Sequence, residues 1–149
     1  MIDFISFGIV IDDIVLPDGA AYPGILGGGG PQTVWGMAAA LGGGEAVGLV
    51  ADVGADFDSA SLAPLEAARV NLAGVRRTSG ATPRAWQHID AEGGRTHQWQ
   101  APPLRSITFG TTMRELLPTR YQTARGFHWG LHPENPPLAS VLSDAGRHD

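Results

Sequence analysis

The stretch 26–43, LGGGGPQTVWGMAAALGG, limits what this chain can fold into more than any other. Four consecutive glycines, 27–30, lead into Pro31 and an Ala-rich apolar run, 34–41, which reads as a glycine loop feeding a helix with proline in its first turn. Two readings of the loop stay open. It is either a flexible connection or a place where backbone approaches a ligand, with the free N–H groups of the helix behind it suited to a polar or anionic group. It is not a Walker phosphate loop, which needs a lysine after its last glycine, because all ten cations of the chain are arginine. Nor is it a dinucleotide fingerprint, whose glycines follow a strand directly and whose unit closes on an acidic residue.

Around that stretch lies enough chain for one ordinary domain with a buried core, 149 residues. Apolar residues make up 43%, charged residues 17%, and the net charge is -5, with the arginines scattered. That describes a globular protein and argues against a disordered chain or a nucleic-acid binder. The absence of cysteine excludes disulfides, thiolate metal sites and cysteine nucleophiles and fits a cytoplasmic setting. The apolar start carries Asp3 and no basic segment, unlike a signal peptide, and no apolar run has the length of a membrane span.

Residues 4–11 form a continuous apolar run that predicts a strand buried on both faces, with Asp12 and Asp13 at its carboxyl end. Ligands of open α/β sheets bind beyond such strand ends, so the two aspartates are either site residues or a solvated strand end. Pro17, Asp18 and Gly19 mark a turn. After a helix over 32–41, the run 45–53 predicts a second buried strand, and 59–70 a second helix. Asp52, Asp56 and Asp58 lack the pattern of a calcium loop and read as a solvated turn and helix cap. Short strands are expected at 75–77, 84–90 and 95–100, the last two joined by a turn at 91–94. Trp86 and Trp99 there face each other, cover a ligand or pack within the sheet. A loop and short helix over 102–117, a strand over 124–131 and a helix from 136 complete the expectation. His128 and His132 have helical zinc spacing, but Gly126, Gly130 and Pro133 argue for a strand that holds them too far apart for one metal.

The order of these features resembles the N-terminal half of the ribokinase-like (PfkB) carbohydrate and nucleoside kinases. The resemblance is carried by 8–13 (GIVIDD), 28–41 (GGGPQTVWGMAAAL) with Gly42 after it, 53–56 (VGAD) and 82–94 (TPRAWQHIDAEGG). It implies an α/β fold with a mostly parallel sheet flanked by helices and a small β lid formed by strands at about 15–26 and 84–99. It further implies that Asp13 holds sugar hydroxyls, and that Gly28, Gly29 and Gly30, with Thr33 and His132, line the substrate. The implied substrate is a sugar or nucleoside, and the implied cofactors of the full-length family are ATP and Mg²⁺.

Three departures qualify the resemblance. Thr33 stands where the family usually has a sugar-binding asparagine, and a hydroxyl reaches less far and makes fewer bonds than an amide. Ile11 replaces another polar sugar contact of ribokinase. The Gly-x-Gly-Asp segment on which phosphoryl transfer depends in this family does not occur in the sequence, so no catalytic residue is assigned. The expectation is an incomplete domain over 1–149 that is either derived from a sugar kinase or acts as a non-catalytic module that binds sugar or pairs with another chain through its lid, and that is either marginally stable or self-associates, with a homodimer through the lid as one form.

Overall fold

The computed structural model describes residues 1–102 and 117–128. Along the chain run β1 (Phe4–Phe7), β2 (Val10–Val15), β3 (Ala21–Gly27), α1 (Gly29–Leu41), β4 (Val47–Val53), α2 (Ala63–Ala67), β5 (Asn71–Arg77), β6 (Arg84–Ile89), β7 (Arg95–Ala101) and β8 (Gly126–His128). The expected helix from 136, the segment 103–116 and His132 lie outside the described residues.

Gly8 sets the architecture. The apolar run 4–11 predicts one strand, but the chain breaks at Gly8, whose φ of 88° is reached at little cost only by glycine, and makes two. β1 and β2 then enter different sheets. Asp12 and Asp13 are therefore not at the end of a core strand; they lie inside β2 of the second sheet.

The first sheet has the order β5-β4-β1-β8 and is parallel throughout. Parallel strands need cover on both faces. One face of β4, with Val47, Leu49, Ala51 and Val53, packs against Val34 and Ala38 of α1 and Leu62, Leu65 and Val70 around α2. The other carries Ile5 and Phe7 against Leu117, Tyr121 and Ala124. Tyr121 is fully buried, and its ring fills the space left by Gly48 and Gly74, where a Cβ would come within 2.7 and 2.8 Å of it. Its hydroxyl donates to the Asn71 carbonyl at 2.6 Å, and burial pushes the phenol up to about 12.

The second sheet has the order β3-β2-β6-β7 and is mixed: two antiparallel hairpins meet in the parallel pair β2–β6. The turn around Pro17, Asp18 and Gly19 closes the first hairpin through a bond from Leu16 N–H to the Ala20 carbonyl. The segments expected to form lid strands supply β3, β6 and most of β7. Ile9 and Ile11 anchor this sheet in the main core cluster.

The helix predicted over 59–70 is divided. Ser59–Leu62 forms a 3-10 turn capped by Asp58, whose carboxylate accepts the Ala60 N–H at 2.9 Å, and α2 covers five residues beyond it. Pro64, which cannot donate a backbone bond, marks the junction, and Arg69 ends the segment in a left-handed conformation, φ 63°. Conversely, α1 starts three residues earlier than the spacing predicts, at Gly29, so that Pro31 still falls within its first turn.

Candidate functional site

The glycine run lies where the two sheets meet. β3 ends at Gly27, paired with Val10, and Gly28 (φ 85°) turns the chain into α1 without any side-chain cap. Gly30 is buried; a Cβ there would run into the carbonyl oxygens of Phe7 and Gly8 at the carboxyl end of β1. Part of the glycine requirement is thus structural, because the first turn of α1 is pressed onto the end of β1. Gly29 is exposed beside it and Thr33 is half-buried one turn further on.

Asp13 is 2% exposed, and its carboxylate is fully engaged. Arg84 donates from Nε to Oδ2 at 2.7 Å and from Nη2 to Oδ1 at 2.6 Å, a side-on bidentate pair. Oδ1 also accepts the Gly24 N–H at 2.8 Å, and Oδ2 accepts Gln100 Nε2 at 2.7 Å. Four donors on two oxygens occupy the carboxylate's ordinary lone-pair positions. The Arg84 bond is the main reason that the carboxyl is held down to about 2, with Gln100 and Gly24 adding to it against the opposing effect of burial. Four segments are locked together in this way, since β2, the middle of β3, β6 and β7 each contribute a group.

The other aspartates have separate tasks. Asp12 points to the opposite face of the second sheet, where its Oδ1 accepts Gln87 Nε2 at 3.0 Å. Asp56 follows β4 and accepts both the backbone N–H and the hydroxyl of Thr82, at 2.8 and 2.7 Å, while the Thr82 hydroxyl in turn accepts the Gly54 N–H at 3.0 Å. Those Thr82 bonds lower the Asp56 pKa. Asp52 pairs with Arg76. On β8, His128 Nδ1 lies 3.1 Å from the hydroxyl of buried Ser6.

The two tryptophans do not face each other. Register pairs Trp86 with Gln98 and Trp99 with Ala85, which puts the indoles on opposite faces. Each rests against a histidine two residues away on its own strand, Trp86 against His88 and Trp99 against His97.

Sequence reasoning singles out Asp13 and the glycine loop as candidates and does not name Arg84 or Gln100, the side chains that hold Asp13. The local signal for Arg84 is slight, a cation opening a strand of mixed polarity, RAWQHI. Its pairing to a residue 71 positions earlier depends on the parallel β2–β6 ladder.

Among the described residues no group of three or more His, Asp or Glu side chains is placed to hold a metal ion. Asp13, Asp52, Asp56 and Asp58 are committed to Arg84, Arg76, Thr82 and the Ala60 N–H in turn. This donor set does not fit a nucleotide–Mg²⁺ site.

A parallel α/β sheet joined to a small mixed sheet, with a glycine loop and a buried aspartate at the junction, defines the architecture. It is the ribokinase-like fold, as the resemblance in sequence implied. No family model and no curated protein sequence matches the chain. Solved structures do. A microbiome-derived acarbose kinase superposes with TM-score 0.66 at 17% identity over 97% of this chain and 50% of its own. Ribokinase from Cryptococcus neoformans in complex with ADP gives 0.60 at 21%, over 98% of this chain and 46% of its own. Fructokinase from Xylella fastidiosa with bound ATP gives 0.60 at 30%, over 85% of this chain and 38% of its own. The chain thus spans half or less of each of these three structures. Among the described residues no helix is long and apolar enough to cross a membrane.

Proposed function

We propose that this chain is the substrate-binding part of a carbohydrate kinase-like protein. Its site for a small polyol is formed by the glycine loop, 28–30, with Thr33, beside the Asp13 cluster. The observation that carries the reading is adjacency: the start of α1, beside the exposed Gly29, is pressed onto the carboxyl end of β1, and further along β2 the Asp13–Arg84 pair has its arginine opposite Ile11 and close enough to Asp56, which follows β4, to feel its charge. Open α/β folds bind ligands at such strand ends. The similarity to solved sugar kinases supports the choice of a polyol. His132, which the family resemblance also assigns to the substrate, belongs to the same proposal. In a full-length relative, ATP and Mg²⁺ would supply and activate the phosphoryl group.

A second reading, a sugar-binding module without catalysis, is favoured by the engagement of Asp13, whose carboxylate oxygens are filled by Arg84, Gln100 and the Gly24 N–H. An ATP-consumption assay with Mg²⁺ and a panel of sugars and nucleosides, run beside thermal-shift binding, separates the two. Turnover that disappears in Asp13→Ala supports the kinase. Sugar binding without turnover supports the module, and neither binding nor turnover refutes both. Tyr22 and Ile25, exposed on one face of the second sheet, support self-association through that sheet. Light scattering of the native chain and of Tyr22→Lys tests it, and a native chain that is monomeric at high concentration refutes it.

A further inference from the structure

An aspartate that binds sugar hydroxyls must have free lone pairs, and Asp13 has none to offer. All four of its bonds come from inside the protein, and it is almost wholly buried. What the cluster turns outward is its partner. The Arg84 side chain is 39% exposed. A guanidinium has a side-on pair of donors, Nε with Nη2, and an end-on pair, Nη1 with the second Nη2 hydrogen. Asp13 takes the side-on pair. The end-on pair has no hydrogen-bond partner among the described residues. Asp56 is close enough to help raise the Arg84 pKa, but it is outside ion-pair distance and directs its Oδ1 to Thr82.

The end-on fork is planar, permanently charged and braced. Asp13 fixes its orientation, and Asp13 is itself fixed by Gly24 and Gln100. Such a fork matches two oxygens of a carboxylate or phosphate, and little of its side-chain entropy remains to be lost on binding. A neutral diol, which needs acceptors as well as donors, gains less from it.

Building on the polyol site proposed above, we infer that Arg84 determines its specificity and selects a polyol bearing an oxyanion, a carboxylate or a phosphate, over a neutral sugar. Asp13 is then a positioning residue that aims Arg84, and the chemical role expected of the aspartate passes to the arginine beside it.

Calorimetric titration of the full chain with glucose, gluconate, glucose 6-phosphate, acetate and inorganic phosphate tests this without any variant. Gluconate or glucose 6-phosphate is expected to bind at least about tenfold more tightly than glucose, as one charge-assisted fork would give. Which of the two binds better tells whether the oxyanion is a carboxylate or a phosphate. Arg84→Lys, which keeps the charge that compensates Asp13 but loses the fork, should reduce that preference most of the way to parity. Equal binding of glucose and gluconate, unchanged in Arg84→Lys, overturns the role of Arg84 and leaves the polyol site standing. Acetate or phosphate binding as well as the sugar derivatives overturns both, as does the absence of any binding.

Discussion

The two sheets are held together by different forces. The parallel sheet is fixed by apolar packing on both faces, with Leu49, Val47 and Ile5 fully buried. Among the described residues the mixed sheet joins the main core cluster through Ile11, with Ile9 just before β2 and partly buried Leu26 beside it, and its middle is organised by polar groups around Asp13 and between Asp12 and Gln87. Apolar packing is tolerant in direction and large in sum. A hydrogen-bonded charge cluster is directional, so it sets the register and curvature of four segments at one point. The first sheet can therefore serve as a scaffold, and under the proposed function the second takes part in recognition. The difference also teaches where substitutions change stability and where they change specificity.

The largest expected effect falls on the scaffold. Leu49→Ala removes a fully buried side chain between α1 and the sheet and should cost about 2–5 kcal/mol in urea unfolding. Asp13→Ala comes next. Removing one member of a buried ion pair is expensive, but the exposed side of Arg84 can be rehydrated, so a loss of about 1–3 kcal/mol is expected. Proteolysis of the loop around Pro17 and the turn at 91–94 should increase more in Asp13→Ala than in Leu49→Ala at matched global stability. Equal cleavage in the two variants would break the distinction between the sheets.

Acid titration sharpens the comparison. The folded pKa of Asp13, about 2, is below its ordinary value of 3.8. A depressed carboxyl contributes stability that is fully present above the unfolded value and is lost as pH falls from about 4 toward 2. Asp56, also lowered by its bonds to Thr82, loses stability in the same direction. Unfolding free energy measured from pH 5 to pH 2 should fall, and Asp13→Asn should flatten the curve. Core variants such as Leu49→Ala should shift it downward without changing its slope.

The same difference decided what could be read from sequence. Continuous apolar runs at 4–7 and 47–53 showed the buried parallel strands directly, because a strand covered on both faces has no polar alternation. The glycine loop and α1 were legible for a similar reason, with Pro31 and the run after it marking a helix start. The break at Gly8 was not, since one glycine inside an apolar run is as consistent with a flat strand as with a turn, and its positive φ emerges only when β1 and β2 join different sheets. Trp86 and Trp99 were left undecided because their faces depend on the β6–β7 register, which shifts between Arg84 and Ala85. The Asp13–Arg84 pair was the most distant from view. Asp13 was picked out by its place in a motif, but its partner is set by long-range parallel pairing that no local spacing encodes.

The smallest effect is the most discriminating control, because it uses the same chemistry in the other sheet. Arg76 grips Asp52 across β4 and β5 with two bonds, Nε to Oδ1 at 2.8 Å and Nη2 to Oδ2 at 3.0 Å, which is the fork that Arg84 forms with Asp13. The surroundings differ. The Asp52 side chain is 18% exposed and Arg76 43%, against 3% for Asp13. Water and salt screen the outer pair, and among the described residues neither of its members braces another strand by a further bond. Arg76→Gln should therefore change unfolding free energy by less than about 1 kcal/mol, and raising the salt concentration should erase most of that change. If Arg76→Gln proved as costly as Asp13→Ala, the bidentate geometry alone would account for the strength of the Asp13 cluster, and its burial and its extra donors would not.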